Sequence, residues 1–313
     1  MTKIARFARL FLGLKTKFFK GKGKQIMAKY QKGTGKSNAW LIAQDVYEFL
    51  KAQQHAILSL FLSQGEMLRK EKGYVGELDM HLHNCLLKFL FGLLDYPVFS
   101  EESADPSSPP LSSRIWNQSW IIDPLDGSDN SGMGLFNFGV MILLVENGDV
   151  VFCGIYLPMR EQALWDGFYF AIRGRGAWQN TPQGRRQLYV SHNGDMAKAN
   201  IFLEGESKKL PQSPFVCKIR QSTRNRNGMS CALSFTLLAS GLRAPIPVDA
   251  VISYKNEPWD NLPGVLLAEE AGGKVTDFYG RPWSPENCNS LVFSNSLLHD
   301  KLLALSNPPF AKP

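Results

Sequence analysis

The sequence predicts an α+β fold built in layers, and three features predict it. Apolar residues recur at helical spacing, as in Leu82, Leu86, Phe89 and Leu93. Two apolar runs, Phe138–Val145 and Val150–Tyr156, flank Asn147-Gly148, the signal of a β-hairpin. Helical and extended segments then alternate without a strict β-α-β rhythm.

Taken in order, residues 1–36 read as a basic amphipathic arm. Ile4, Phe7, Phe11, Leu14 and Phe18 recur at spacings of three and four, with Lys and Arg filling much of the rest. Residues 1–20 suit an anionic membrane surface. Residues 1–26 also resemble a transit peptide addressed to an organelle, or precede a true start at Met27. Gly33-Thr34-Gly35-Lys36-Ser37 is not a phosphate-binding P-loop, because Tyr30 stands where its first glycine belongs and no strand precedes it.

Ser37 to about Lys72 reads as helix, in one piece or two, capped by Ser37 or Asn38. Asp79 to about Leu94 reads as a second helix. Pro97–Phe99 is a short strand, Ser103–Ser113 a Ser/Pro-rich loop, and Trp120–Ile122 another short strand. After the hairpin come strands near Ala163–Trp165 and Phe168–Ile172. Gly174, Gly176 and a turn at Asn180–Gly184 break up the next stretch. Cys231–Ala239 and Asn261–Ala271 read as helices, Leu291–Phe293 as a strand and Leu297–Leu305 as a closing helix. The expected halves are 37–180, carrying a metal site, and 181–313, completing it.

Composition bounds the function. The chain has 313 residues, 44% hydrophobic and 20% charged, which excludes a disordered chain. Its five cysteines are scattered with no C-x-x-C, which speaks against a disulfide framework or structural zinc and for a reducing, cytoplasmic setting. The formal charge is +7, but residues 1–36 hold eleven basic and no acidic residues. The other 277 residues carry 24 basic and 28 acidic groups, a net of −4. No nucleic-acid partner is therefore expected for the body.

Three acidic clusters follow predicted strands or open a predicted helix: Ser100-Glu101-Glu102-Ser103, Asp123-Pro124-Leu125-Asp126-Gly127-Ser128, and Pro258-Trp259-Asp260. Each is ordinary alone, since Glu-Glu pairs are usually surface and a lone Asp often caps a helix. Together they place hard oxygen ligands on one sheet edge, which suits Mg²⁺ and a substrate phosphate. Gly127 lets a phosphate approach the backbone, and Ser128 adds a hydroxyl.

These motifs resemble the inositol monophosphatase superfamily of Mg²⁺-dependent phosphomonoesterases, which includes bisphosphate nucleotidases and fructose-1,6-bisphosphatases. The resemblance covers roughly residues 66–306 and extends to Glu270-Ala271-Gly272-Gly273 and to Gly174–Asn180. It implies an α-β-α-β-α sandwich, two or three Mg²⁺ ions and a homodimer. Glu101, Asp123 and the Leu125 carbonyl would hold one metal; Asp123, Asp126 and Asp260 a second; Asp79, beside Glu101, a third. Glu101 and Ser128 would orient and deprotonate the attacking water, with Asp79 in the same catalytic group. Asp126, Gly127, Ser128, Ser230, Cys231 and Ser253 would contact phosphate or substrate. No histidine is needed.

The chain departs from the family pattern in four places. Ser128 replaces the usual threonine, and Asp129 follows it. Asn261-Leu262-Pro263-Gly264 replaces small residues after Trp259-Asp260. Ser253 stands where the family's inositol-contacting glutamate falls, and the Gly228–Cys231 wall is altered. The resulting reading is hydrolysis of a phosphomonoester of a small polyol, sugar or nucleotide, inositol monophosphate by default. Arg220, Arg224, Arg226, Arg243 and Lys255 motivate a 3′(2′),5′-bisphosphate nucleotidase as an alternative. A non-catalytic, membrane-tethered binding protein is the third reading.

Overall fold

The computed structural model describes residues 38–63, 67–70, 73–103, 116–158, 167–181, 183–205 and 209–305. The basic arm, most of the Ser/Pro-rich loop and the strand expected at Ala163–Trp165 lie outside these residues.

Helix α1 (Ala39–Ser63) buries Ile42, Val46, Leu50, Ile57 and Phe61 along one stripe. It stops well short of Lys72. Ser63 Oγ bonds back to the Leu60 carbonyl, and Gly65 follows two residues on, where a helix loses about 1 kcal/mol. Instead of more helix, β1 (Leu68–Lys70) pairs antiparallel with β2 (Gly73–Val75). Helix α2 (Glu77–Leu93) then buries Leu78, Leu82, Leu86, Leu90 and Leu93.

The first sheet has seven strands in the order β3 (Val98–Ser100), β4 (Gln118–Asp126), β5 (Gly139–Glu146), β6 (Asp149–Tyr156), β7 (Phe168–Ile172), β8 (Ala177–Thr181) and β9 (Gly184–Gln187). Among its described strands, only the pair β3 and β4 runs parallel. The β5–β6 hairpin turns at Asn147 (φ 54°) and Gly148 (φ 80°), the left-handed pair that a two-residue turn requires. Between β4 and β5 lies the short helix α3 (Ser128–Gly132).

The second sheet has the order β11-β10-β12-β14-β13, from β10 (Asn200–Glu204), β11 (Arg224–Asn227), β12 (Ala250–Tyr254), β13 (Gly273–Asp277) and β14 (Ser290–Asn295). Strands β10, β11 and β12 are parallel; β14 runs antiparallel to β12 and β13. The other α-helices among the described residues are α4 (Pro214–Ser222), α5 (Cys231–Ala239), α6 (Pro258–Glu270) and α7 (His299–Leu303).

Alternation along the strands shows how the layers stack. Trp120, Ile122, Val140, Ile142 and Leu144 pack with α1 and α2. Ile121, Met141, Leu143 and Val145 pack with Phe235 of α5, Leu266 of α6, and Val251 and Phe293 of the second sheet. Ile201, Ile252 and Val292 face the opposite way, toward Val216 and Ile219 of α4 and Leu302 of α7. The order is α1α2, sheet, α5α6, sheet, α4α7: an α-β-α-β-α sandwich. A strand buried on both faces reads as a continuous apolar run, as Gly139–Val145 does.

Helix α6 begins three residues before its expected start. Pro258 suits the first helical position, and Asp260 Oδ2 accepts the Glu257 N–H at 3.0 Å. Pro263 consequently sits inside the helix rather than in its first turn, and offers no N–H to the Trp259 carbonyl. Close packing survives at Gly264, where an added Cβ would lie 2.2 Å from the Phe235 ring.

Candidate active site

The carboxylates converge for reasons of register. In the parallel pair β3–β4, Ser100 stands opposite Ile122, so the next residues, Glu101 and Asp123, emerge side by side. Strand β4 does not end before Asp123, as expected, but continues to Asp126 through an irregularity. Asp123 pairs with Met141 and Asp126 with Gly139, three residues against two. In a regular strand, residues three apart face opposite sides; the extra residue turns both toward α5 and α6. Asp260 enters from the first turn of α6. Oxygens of Glu101, Asp123 and Asp260 lie within 4.8 Å of one another.

The group is electrostatically costly without a cation. Burial, then Glu101, Asp126 and Asp260, push the Asp123 carboxyl well above its ordinary range. Burial, then Glu101 and Asp126, do the same to Asp260. Asp123 Oδ1 accepts the Leu125 N–H at 2.9 Å, while Oδ2 is buried and has no hydrogen-bond partner. A buried orphan oxygen among carboxylates is what a divalent cation would satisfy, so the donor set fits Mg²⁺. Asp126 is different. It accepts Ser230 Oγ, the Cys231 N–H at 3.3 Å and the Ala232 N–H at 2.9 Å. It lies at the N-terminal end of α5, where an acidic group is favoured. Burial still raises its carboxyl.

Ser128 opens α3 after Gly127, whose φ of 86° is accessible to glycine. An added Cβ there would also lie 2.6 Å from the Asn137 carbonyl. Ser128 Oγ lies within donating distance of Asp79 Oδ1 and of the Leu125 carbonyl, the latter at 2.9 Å. Asp79 Oδ2 accepts the Gly76 N–H at 2.8 Å at the start of α2. Burial raises the Asp79 carboxyl above its usual range.

These groups open into a cleft of about 320 Å³. One wall carries Glu101, Asp123, Leu125, Asp126, Gly127 and Ser128, with Asp260 at the join. Ser230 and Cys231 also line it, after Met229, a non-glycine residue at φ 70° whose carbonyl accepts Asn130 Nδ2 at 2.7 Å. Two expected residues are not in the lining. Asp79 stands behind Ser128. Ser253 is wholly buried, donating to Asn261 Oδ1 at 2.6 Å and accepting Asn256 Nδ2 at 3.0 Å. None of Arg220, Arg224, Arg226, Arg243 or Lys255 lines the cleft.

Three lining residues are not singled out by any sequence motif: Glu204 at the end of β10, Gly205 after it, and Asn256. Glu204 does carry a signal. An apolar triplet, Ile201–Leu203, precedes an acid and a glycine, much as Ile121-Ile122 precedes Asp123. Among the described residues, no histidine lines the cleft. His83 bonds Ser100, and His299 is held between Ser294 and Thr276.

Fold and site together define a class: layered α+β proteins that gather carboxylates for divalent cations at strand ends beside a polar cleft. Comparison with known proteins narrows the class. The chain belongs to the inositol monophosphatase family, whose family model matches residues 39–308. It is 30% identical to the fructose-1,6-bisphosphatase/inositol-1-monophosphatase of Thermotoga maritima over 189 residues, 60% of this chain and 67% of that protein. It is 28% identical to the inositol-1-monophosphatase of Bacillus subtilis over 58% of this chain and 64% of that protein. These alignments thus span about two thirds of the relatives' lengths. The chain is also 32% identical to the Nus factor SuhB of Xylella fastidiosa, over 72% and 79% of the two chains. The solved Thermotoga maritima IMPase superposes with a TM-score of 0.69 at 25% identity, covering 83% of this chain and 94% of that one. The Bartonella henselae SuhB structure shares the fold, with a TM-score of 0.72 at 21% identity over 86% and 100% of the chains. So does an IMPase/NADP phosphatase solved with Mg²⁺ and phosphate, at 0.71 and 20% identity over 87% and 97%. Among the described residues, no helix is long and apolar enough to cross a membrane.

Proposed function

We propose that the chain is a Mg²⁺-dependent phosphomonoesterase acting on a small phosphorylated polyol or sugar. The observation that carries this is the Glu101–Asp123–Asp260 cluster with the buried, unpartnered Asp123 Oδ2, one step from the Asp79–Ser128 pair. Glu101, Asp123 and the Leu125 carbonyl would hold one ion, and Asp123, Asp126 and Asp260 a second. Asp79 would help hold a third. Bound cations supply the positive charge that lowers the pKa of water and stabilises the leaving oxygen.

The chain's own residues do the rest. Gly127 leaves its backbone open to a phosphate oxygen, and Ser230 is fixed by its bond to Asp126. Ser128 donates its proton toward Asp79, so its lone pairs are free to accept from an attacking water. Glu101 would help to orient that water. The buried floor around Asp123 keeps bulk solvent from the reacting centre.

The test is phosphate release from inositol-1-phosphate, fructose-1,6-bisphosphate, adenosine 3′,5′-bisphosphate and an aryl phosphate, with and without Mg²⁺. Turnover that requires Mg²⁺ and is lost in Asp123→Asn is expected. Folded protein that turns over none of them with Mg²⁺ would overturn the proposal. The similarity to Nus factor SuhB favours one second reading, a binding role in a transcription-related assembly. Five carboxyl groups retained at the site, Asp79, Glu101, Asp123, Asp126 and Asp260, speak against binding alone, since they repel one another without a cation. The arm, outside the described residues, fits attachment of the body to an anionic membrane.

A further inference from the structure

The second sheet also contributes to the cleft, through Glu204, and the chemistry there differs. Glu204 ends β10 and stands in register with Ser253 on the parallel neighbour β12. Ser253 faces inward and is spent on Asn261 and Asn256. The carboxyl at this end of the sheet therefore stands one strand away from the position the family resemblance suggests.

Glu204 is only 4% exposed yet lines the cleft. Its Oε1 accepts Ser234 Oγ, and the Ser230 N–H also bonds the carboxyl. A carboxyl group has about four acceptor positions, so capacity remains toward the cleft. Gly228 is what makes room: an added Cβ would lie 1.8 Å from Glu204 Oε1. Beside it, Asn256 spends its amide protons on Cys231 Sγ at 3.3 Å and Ser253 Oγ at 3.0 Å. Its Oδ1 borders Gly205 in the lining. Burial pushes the Glu204 carboxyl up to about 8, so near neutral pH it carries a proton to donate. No Lys or Arg is among the described lining residues.

We infer that Glu204 and Asn256 form the leaving-group subsite and select an uncharged, hydroxyl-bearing leaving group over one carrying a second phosphate. This rests on the phosphatase reading and names its substrate class. Two hydrogen-bonding groups in a buried wall reject partners that leave them unpaired. A second phosphate would find no Lys or Arg among the described lining residues to offset its charge.

The experiment compares Glu204→Met and Glu204→Gln with the wild type on inositol-1-phosphate, adenosine 3′,5′-bisphosphate and an aryl phosphate without hydroxyls, all with Mg²⁺. Wild type is expected to favour inositol-1-phosphate over the bisphosphate. Glu204→Met should raise its KM by roughly 10- to 100-fold with little change in kcat, and affect aryl phosphate turnover several-fold less. Glu204→Gln should restore most of the loss. A role confined to holding α5 would depress both substrates alike, and that result would overturn the inference, as would wild-type preference for the bisphosphate. Calorimetric binding of inositol-1-phosphate separates the two readings. If wild type turns over nothing, the phosphatase reading fails. The subsite then still stands if binding weakens in Glu204→Met and recovers in Glu204→Gln, and fails if it does not.

Discussion

The carboxylate of Asp126, at the end of β4, accepts the backbone N–H of Ala232 at 2.9 Å, in the first turn of α5. A residue expected to hold a metal thus also fastens a helix of the central layer to the first sheet. Asp123, three residues earlier, has an unpartnered oxygen among like charges. The two should respond oppositely to substitution. In metal-free protein, Asp126→Ala should lose about 2–4 kcal/mol of stability, because three donors lose their acceptor. Asp123→Asn should gain about 1 kcal/mol, because a charge leaves the cluster. Both should lose Mg²⁺-dependent turnover by about 100-fold or more. Denaturant titration in chelator checks the first pair, and phosphate release the second. A fall in stability for Asp123→Asn would contradict the argument.

Gly264→Ala should cost about 1–3 kcal/mol, since its Cβ has no space against the Phe235 ring. Because α5 and α6 carry Ser230–Cys231 and Asp260, Mg²⁺ affinity should weaken with it. Thermal melts with and without Mg²⁺ check both effects; unchanged melting would mean that the helices separate at no cost.

His299 makes the second sheet sensitive to acid. Burial, and then Lys274, lower its pKa to about 4 from an ordinary 6.5. Both ring nitrogens are held by hydroxyls, Ser294 at 2.7 Å and Thr276 at 2.9 Å. The folded state thus favours the neutral ring. Its contribution is complete above pH 6.5 and is lost as pH falls toward 4, at up to about 1.4 kcal/mol per unit. Unfolding measured at pH 7 and pH 4.5 should show a larger drop for wild type than for His299→Gln. Equal drops would remove His299 as the cause.

Deletion of residues 1–36 should leave Mg²⁺-dependent turnover within about two-fold, since every group of the site lies in residues 79–260. Binding to anionic vesicles should vanish with the arm. Sedimentation with vesicles checks this, and vesicle binding by the truncated body would place the membrane contact elsewhere.

Legibility in the sequence followed how locally each feature is encoded. The hairpin was readable because Asn147-Gly148 forces its turn, and α5 because Cys231–Ala239 is an unbroken run of helix-compatible residues. Strand β11 was not, because Arg224-Asn225-Arg226-Asn227 is polar and joins the sheet at an edge through its backbone alone. Strands β10 and β12 are five residues each and acquire meaning only when paired. The same division holds for the site. Asp123-Pro124-Leu125-Asp126-Gly127-Ser128 carries its geometry within six residues, and Glu101 and Asp260 sit at recognisable element ends. Glu204 reaches the cleft only because β10 lies beside β12, a neighbourhood that no local spacing expresses.

The extra residue between Asp123 and Asp126 has a consequence for how such a site arises and is lost. Deleting Pro124 or Leu125 would leave the two acids two apart in a regular strand, still on one face, but would shorten by one residue the chain that carries Gly127 and Ser128 to their places. Point substitutions could change every side chain in β4 without altering that spacing. The distance between the carboxylates and the Gly127–Ser128 turn is therefore set by chain length, which replacements leave alone and a one-codon deletion changes.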